Sequence, residues 1–347
     1  MSQVFGTYTQ LIARRIHMRV PVVALAGVLI VCALTLVARA RPLSNVVELV
    51  AAVLSPYAPF LGLASLAFSV LQRRIFLSLA ATVMVAVTLA VQIHWYYWPA
   101  ERLGVAESVK VRVLSANLRK GQADPDFIAS LADSSIDVLT VSELTPEEAQ
   151  RLVDSGIEAA LPYSVLRPEP NAGGIGLWSR FPVTPIAPTS RKDISAVAAR
   201  LSIPGTRHDP VVASLHVTSP ITAEAGSFRR WQRGIASAKK NLRYFADLAG
   251  QAGVIVAGDF NSTPDMRQFR DLLDGYRDAV KEVGAGWLPT FPSRSWHPPA
   301  ITIDHVLTRN TVTSAVKTLY VPGSDHRALL ASVQVPAEPK ASQNSVT

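Results

Sequence analysis

The first hundred residues carry three long apolar runs, and a chain with such runs must bury them in a bilayer or in a large protein core. Val20 to Ala38 contains no charged side chain. At about 1.5 Å per residue, a helix of that length spans roughly 28 Å, close to the hydrocarbon thickness of a membrane. Val46 to Leu71 is the second run, interrupted by Glu48, Pro56 and Pro59. Ile75 to Trp98 is the third and ends in Trp95-Tyr96-Tyr97-Trp98, aromatic side chains suited to the lipid–water interface. Three transmembrane helices are expected. Two other readings compete. Residues 1–40 could be a signal peptide with Ala38-Arg39-Ala40 as its cleavage site. The second run could be a buried soluble helix pair, because its prolines disfavour a continuous helix.

Charge is uneven in the same way. Of 34 basic and 26 acidic side chains, seven Arg and one acid (Glu48) lie in residues 1–100, which leaves 27 and 25 in the rest. The net charge of +8 is thus mostly a property of the apolar part, and it favours contact with an anionic bilayer over nucleic acid. Arg14, Arg15, Arg19, Arg73 and Arg74 fall on one side of a three-helix scheme and Arg39 and Arg41 on the other. Basic residues stay cytoplasmic, so everything after Trp98 is expected outside the cytoplasm. A content of 49% hydrophobic and 17% charged residues excludes a disordered chain, and the single Cys32 excludes a disulfide scaffold or a Cys-based zinc site.

From Ser108 to Val335 short β-rich runs alternate with helical stretches. The expected strands are Val109–Ser115, Val138–Ser142, Gly174–Trp178, Val197–Ser202, Val211–Val217, Val254–Ala257, Ile303–Thr308, Val312–Leu319 and Leu329–Val335. Asp124-Pro125 and Thr145-Pro146-Glu147-Glu148 read as helix starts. The longest helix is expected from Ser227, with Phe228, Trp231, Ile235, Ala238, Leu242 and Phe245 on one face and Arg229, Arg230, Arg233, Lys239, Lys240 and Arg243 on the other. Two packed sheets with helices outside follow, an α+β class. The division expected is 1–104 membrane anchor, 105–336 catalytic domain and 337–347 disordered tail.

Polar residues terminate or interrupt the apolar strands: Asn117, Glu143, His216, Asp259 with Asn261, Asp304, and Asp325-His326. Burying each without partners would cost several kcal/mol, about 2–7. Several at strand ends therefore imply one shared polar site. Carboxylates are hard ligands for Mg²⁺, with Mn²⁺ the alternative. The Asn side chains can donate to a phosphoryl oxygen, and the His side chains can transfer protons. These are the ingredients of phosphate-ester hydrolysis, in which a divalent ion polarises the phosphoryl oxygen.

Asn117-Leu118-Arg119, Ser142-Glu143, the run Gly174 to Pro182, Leu215-His216, Gly258-Asp259-Phe260-Asn261-Ser262, Ile303-Asp304-His305 and Ser324-Asp325-His326 resemble the ordered motifs of the endonuclease/exonuclease/phosphatase superfamily. The resemblance implies a DNase I-like four-layered sandwich. It implies Glu143 as main metal ligand, with Asn117 and Asp325 beside it, and a catalytic set of His216, Asp259, Asn261, Asp304 and His326. In this set Asp259 orients or deprotonates water and Asp304 orients His326. Arg119 and Arg180 are the candidate substrate contacts, the competing readings being a salt bridge for Arg119 and a structural role for Arg180. With three membrane helices the chain looks like the membrane-bound bacterial subgroup that includes teicoplanin-resistance proteins. That implies a hydrolase of a membrane lipid phosphate, polyprenyl (undecaprenyl) pyrophosphate first, at the outer face of a bacterial cell membrane. A phospholipase C or sphingomyelinase-like phosphodiesterase, a tethered nuclease and a non-enzymatic binding module are the alternatives. The near-neutral charge balance after residue 100 weakens the nuclease. Trp287 to Pro292, then Trp296-His297-Pro298-Pro299, reads either as an apolar lip near Asp304 or as an ordinary Pro-rich surface loop.

Overall fold

The computed structural model describes residues 21–100, 107–134, 136–190, 192–293 and 298–337. Arg14, Arg15, Arg19, Trp296, His297 and the tail beyond 337 lie outside the described residues. The chain forms two compact units. Residues up to Val37 with Leu54–Ala90 make one, and Ala38–Val53 with the chain from Val91 onward make the other. The second unit therefore takes in residues that lie N-terminal to the expected boundary at 104.

In the first unit, helix α1 (Val22–Ala40) and helix α4 (Ile75–Gln92, running on as a π turn to Tyr97) are long and apolar enough to cross a membrane. Phe76 and Val23 are 88% and 82% exposed, a surface that lipid suits better than water. Small residues let these helices pack closely. Ser65 Oγ donates to Leu25 O at 3.4 Å, and a Cβ on Gly62 would meet Val85 Cγ2 at 2.9 Å.

Two helices, not the expected three, are long enough to span by themselves; the middle run counts as a third only if its bent pair is taken as one span. The middle run is broken into α2 (Val46–Val53) and α3 (Ala58–Leu71), joined by a 3₁₀ turn at Ser55–Tyr57 and bent by 40°. Pro56 and Pro59 cannot donate backbone hydrogen bonds, which is why the run does not continue as one helix. Leu49 and Ala52 of α2, with Leu43, join the core of the second unit.

That unit is a sandwich of two six-stranded sheets. The first runs β11-β12-β1-β2-β4-β3 and the second β5-β6-β7-β8-β10-β9. Their ranges are β1 Ser108–Asn117, β2 Val138–Ser142, β3 Tyr163–Arg167, β4 Ile175–Ser179, β5 Val183–Ile186, β6 Ile194–Leu201, β7 Val211–Val217, β8 Val254–Asp259, β9 Arg277–Asp278, β10 Asp304–Arg309, β11 Val312–Tyr320 and β12 Arg327–Pro336. Side chains alternate between faces along each strand. Val111, Val113, Val212, Ile255, Ala257 and Val306 fill the space between the sheets. Leu114 and Ala116 turn outward to α5 (Pro125–Ser134), α6 (Pro146–Asp154) and the short α7 (Ile157–Ala160). Val256 and Leu215 turn outward to α8 (Ser227–Ala249) and α9 (Arg267–Leu273). The result is the four-layered arrangement expected.

The helix starts follow their sequence signals. Asp124 Oδ1 accepts from the backbone of Asp126 and Phe127 at 3.0 and 3.2 Å, and Thr145 Oγ1 accepts from Glu148 N at 3.2 Å. On the basic face of α8, Arg230, Arg233 and Arg243 pair with Glu224, Asp193 and Asp274 at 2.7–2.8 Å. This face is largely neutralised, as expected of a solvated helix.

Glu148 is fully buried, with Arg151 at 3.2 Å. Burial pushes its carboxyl up to about 7, against the opposing pull of Arg151. A carboxyl that holds its proton more tightly when folded stabilises the fold at low pH. That contribution is lost as pH rises from the ordinary carboxylate range through about 7. The thermal midpoint is expected to fall between pH 5 and 8 less in Glu148→Gln than in wild type. Equal slopes in calorimetry would refute this.

Candidate active site

Strand register brings the polar residues together. In the parallel pair β7–β8, His216 lies opposite Asp259, and in the antiparallel pair β8–β10, Asp259 lies opposite Asp304. In the parallel pair β1–β2, Asn117 lies opposite Ser142, and Glu143 follows directly. His216, Asp259 and Asp304 also share the strand parity of Val212, Ile255 and Val306, which face the other sheet. The group therefore sits between the sheets, at the end where the parallel strands finish.

Asp259 Oδ2 is the focus. Asn117 Nδ2 donates to it at 3.0 Å and Asn261 Nδ2 at 3.3 Å. His216 Nε2 lies 3.8 Å away and His326 Nε2 3.9 Å. The other oxygen, Oδ1, accepts from Asn261 N at 2.8 Å. Asn117 Nδ2 also reaches Glu143 Oε1 at 3.4 Å, so one amide bridges the two carboxylates. His326 Nδ1 is 2.9 Å from Asp304 Oδ2, the orienting contact expected of Asp304. Ser324 Oγ donates to Asn117 O at 2.7 Å and accepts from His326 N at 3.0 Å, tying the two ends of the motif set to each other.

Electrostatics divide the proton work. Burial and the neighbouring Asp304 hold Asp259 above the ordinary carboxylate range, against the pull of His326 and His216. Burial disfavours the His326 imidazolium. Asp304, charged and hydrogen-bonded to it, outweighs that with help from Asp259 and Asp325, and His326 is raised to about 10. Asp304 thus favours the imidazolium form of His326, suited to stabilising negative charge, and Asp259 is placed to accept a proton.

The donor set fits a divalent cation. Asp259 and Asp304 present ligand oxygens within 4.8 Å of one another and of a His326 ring nitrogen, and Asp304 Oδ1 is buried with no hydrogen-bond donor among the described residues; the imidazolium form of His326 leaves the carboxylates as the ligands. Glu143 adds a carboxylate across Asn117. Hard oxygen ligands of this kind suit a divalent cation. The mutually close set overlaps the expected catalytic residues. Asp325 is half-buried, with its Oδ2 3.8 Å from Arg119 Nε.

Part of the chain's backbone strain lies here. Arg119, Glu143 and Asn261 have φ of 49°, 58° and 46°, in the left-handed region that side chains avoid. Each costs on the order of 1–3 kcal/mol, held in place by the surrounding packing. Two glycines permit the close approaches. A Cβ on Gly174 would meet Leu144 O at 1.7 Å, beside Glu143, and one on Gly258 would meet Leu215 O at 1.8 Å. Gly258→Ala forces β7 and β8 apart at the site. It is expected to destabilise by on the order of 4 kcal/mol, lowering the thermal midpoint by about 10 °C. A midpoint within two or three degrees of wild type would contradict this close packing.

Arg119 stays at the rim, its Nη1 donating to Gly323 O at 3.2 Å. Arg180 does not reach the group; of its two readings the structure shows the structural one, and the substrate contact is corrected. Its guanidinium donates to Ala132 O and Ile136 O at 3.2 and 3.0 Å and lies 3.4 Å from Asp137, where β2 begins. It ties α5 to the opposite end of β2 from Glu143. His305 is buried on the outer face, between Asp278 Oδ2 at 2.6 Å and Ser262 O at 2.9 Å. Thr290, whose role the sequence did not reveal, accepts through Oγ1 from Ile303 N and Asp304 N at 3.2 and 3.3 Å. Phe291 stacks on His326 with ring centroids 4.8 Å apart. The described part of the expected lip is therefore built into the support of Asp304 and His326. The signal available was a hydroxyl between two apolar residues.

Residues 111–326 match the model of the Endonuclease/Exonuclease/phosphatase family, and the chain belongs to that family. Its class of chemistry is phosphoester hydrolysis. Two solved structures share the fold. An endonuclease/exonuclease/phosphatase from Beutenbergia cavernae is 19% identical, covers 67% of this chain and 73% of its own, and has a TM-score of 0.50. A family protein from Bacteroides thetaiotaomicron is 14% identical, covers 66% of this chain and 98% of its own, and has a TM-score of 0.52. A search of curated proteins finds no match.

Proposed function

We propose that the protein is a membrane-anchored, metal-dependent phosphohydrolase acting on a lipid phosphate, first of all polyprenyl (undecaprenyl) pyrophosphate. The observation that carries this reading is one chain that joins a phosphoesterase family domain to helices long and apolar enough to cross a membrane. Confining enzyme and lipid to one surface raises their effective concentration. Glu143, Asp259, Asp304 and Asn117 are the residues that would hold or neighbour Mg²⁺. When bound, the ion would polarise a phosphoryl oxygen and offset charge on the leaving group. Asp259 accepts the proton of the attacking water. The His326 imidazolium, oriented by Asp304, stabilises the negative charge that grows on the phosphoryl oxygens. Asn261 and His216 hold a phosphate oxygen, and Arg119 meets the substrate from the rim.

If the bent middle pair returns across the membrane as one span, five basic residues fall on one side and two on the other, which favours a catalytic domain outside the cytoplasm and goes with likeness to the teicoplanin-resistance subgroup. The test is a panel of polyprenyl pyrophosphate, sphingomyelin and plasmid DNA, each with Mg²⁺. Phosphate release from the first is expected to be at least tenfold faster than cleavage of either other substrate. Faster turnover of sphingomyelin or rapid nicking of DNA at physiological salt would replace this substrate. A reporter fused after Pro99 is expected to read as extracytoplasmic.

A further inference from the structure

The loop that leaves β8 directly after Asp259 carries Asn261 and ends at Asp265, just before α9. Asp265 is 1% exposed, and water cannot compensate its charge. Its partners come from far away in sequence. Arg39 Nε donates to Oδ1 at 2.9 Å, Tyr96 OH donates to Oδ2 at 2.8 Å, and Gln92 Nε2 lies 3.5 Å from Oδ1. Arg39 is in the last turn of α1, and Gln92 and Tyr96 end the other membrane-length helix. Arg270 adds a brace, donating to Pro264 O at 2.7 Å and to Arg39 O.

The other flank of the loop is tied to the same helix end by a separate route. Ser262 O faces His305 Nε2 at 2.9 Å, and His305 Nδ1 faces Asp278 at 2.6 Å. Asp278 Oδ1 caps α10 (Ala279–Val283) by accepting from Val280 N and Lys281 N. Lys281 Nζ then donates to Trp98 O at 2.9 Å and to His94 O.

We infer that Arg39, Tyr96 and Asp265 are positioning residues, through which the ends of the two apolar helices set the placement of Asp259 and Asn261. The inference rests on the hydrolase reading of the site. Positioning errors of about 1 Å cost roughly 100-fold in rate. Loss of the clamp should therefore appear in kcat and leave KM, set at the rim and by the bilayer, within threefold.

The experiment uses the full chain in phospholipid vesicles with Mg²⁺ and polyprenyl pyrophosphate. It compares wild type, Arg39→Ala, Arg39→Lys, Asp265→Asn, the milder Tyr96→Phe, and Arg41→Ala as an exposed control. Arg39→Ala and Asp265→Asn are expected to lose about 100-fold in kcat. Tyr96→Phe loses less, Arg39→Lys recovers part of the loss, and Arg41→Ala is unchanged. Hydrogen exchange is expected to rise in residues 259–265 and not across the sandwich. A folded Arg39→Ala or Tyr96→Phe with wild-type kcat overturns the inference. So does a loss that only tracks the fraction of unfolded protein, with exchange rising everywhere. If wild type releases no phosphate, the hydrolase reading fails by itself; the clamp is then decided by exchange, and unchanged protection of 259–265 in Arg39→Ala and Tyr96→Phe refutes it.

Discussion

Replacing Asp259 by Asn is expected to lower the rate of phosphate release by about 10³-fold while leaving the protein folded. Asn keeps the shape and one acceptor oxygen, so the contacts from Asn117 and from the Asn261 backbone can persist. What it removes is the charge on which Asn117, Asn261, His216 and His326 converge, and with it the proton acceptor. His326→Ala is expected to cost a similar factor by a different route, through loss of the cation that Asp304 holds toward the phosphoryl group. Residues that serve one step are strongly non-additive, so the double variant should be little slower than either single one. Multiplied losses in the double variant would mean that Asp259 and His326 serve different steps.

Excision of residues 1–104 is expected to leave a catalytic fragment that aggregates or unfolds at a midpoint more than 10 °C below that of the full chain. Ala38, Leu43, Leu49 and Ala52 are buried in the same core cluster as Phe228, Trp231, Leu242 and Phe269. Each leucine contributes about 1.5–3 kcal/mol by burial. The backbone of Leu43 also accepts from Gln232 and Gln268 at 3.1 and 2.9 Å. Without Arg39 and Tyr96, Asp265 becomes a buried charge with its main partners gone, a situation worth about 3–5 kcal/mol. Size-exclusion chromatography and circular dichroism on the fragment check this. A monomeric, cooperatively folded fragment with the full chain's midpoint would show that residues 38–53 and 91–100 are dispensable.

The sandwich was legible where strands are buried. All nine expected strands exist, because alternation of apolar residues marks a strand with a core on at least one face. The strands that escaped are β3, β5 and β9, all at sheet edges. β3 is half-exposed, β5 contains Pro185 and β9 has two residues, so none presents a buried alternating face. The middle apolar run was ambiguous for a physical reason. Hydrophobicity records that Leu49 and Ala52 are buried but not whether lipid or protein buries them, and the structure gives them to the sandwich. In the site, the ordered motifs placed Asp259, Asp304 and His326 together. Strand parity could also have set His305 apart, since it faces opposite to Asp304. Arg180 misled because its position after β4 says nothing about which end of the sheet that is. Only the antiparallel pairing of β2 with β4 puts it beside Asp137.

The most direct measurement is hydrolysis of polyprenyl pyrophosphate in ¹⁸O-labelled water, with products weighed by mass spectrometry for wild type and Asp259→Asn. Water attack at the terminal phosphorus predicts one ¹⁸O in the inorganic phosphate released by wild type, and about 10³-fold less product from Asp259→Asn. Equal labelled product from both proteins would contradict an Asp259-centred hydrolase site.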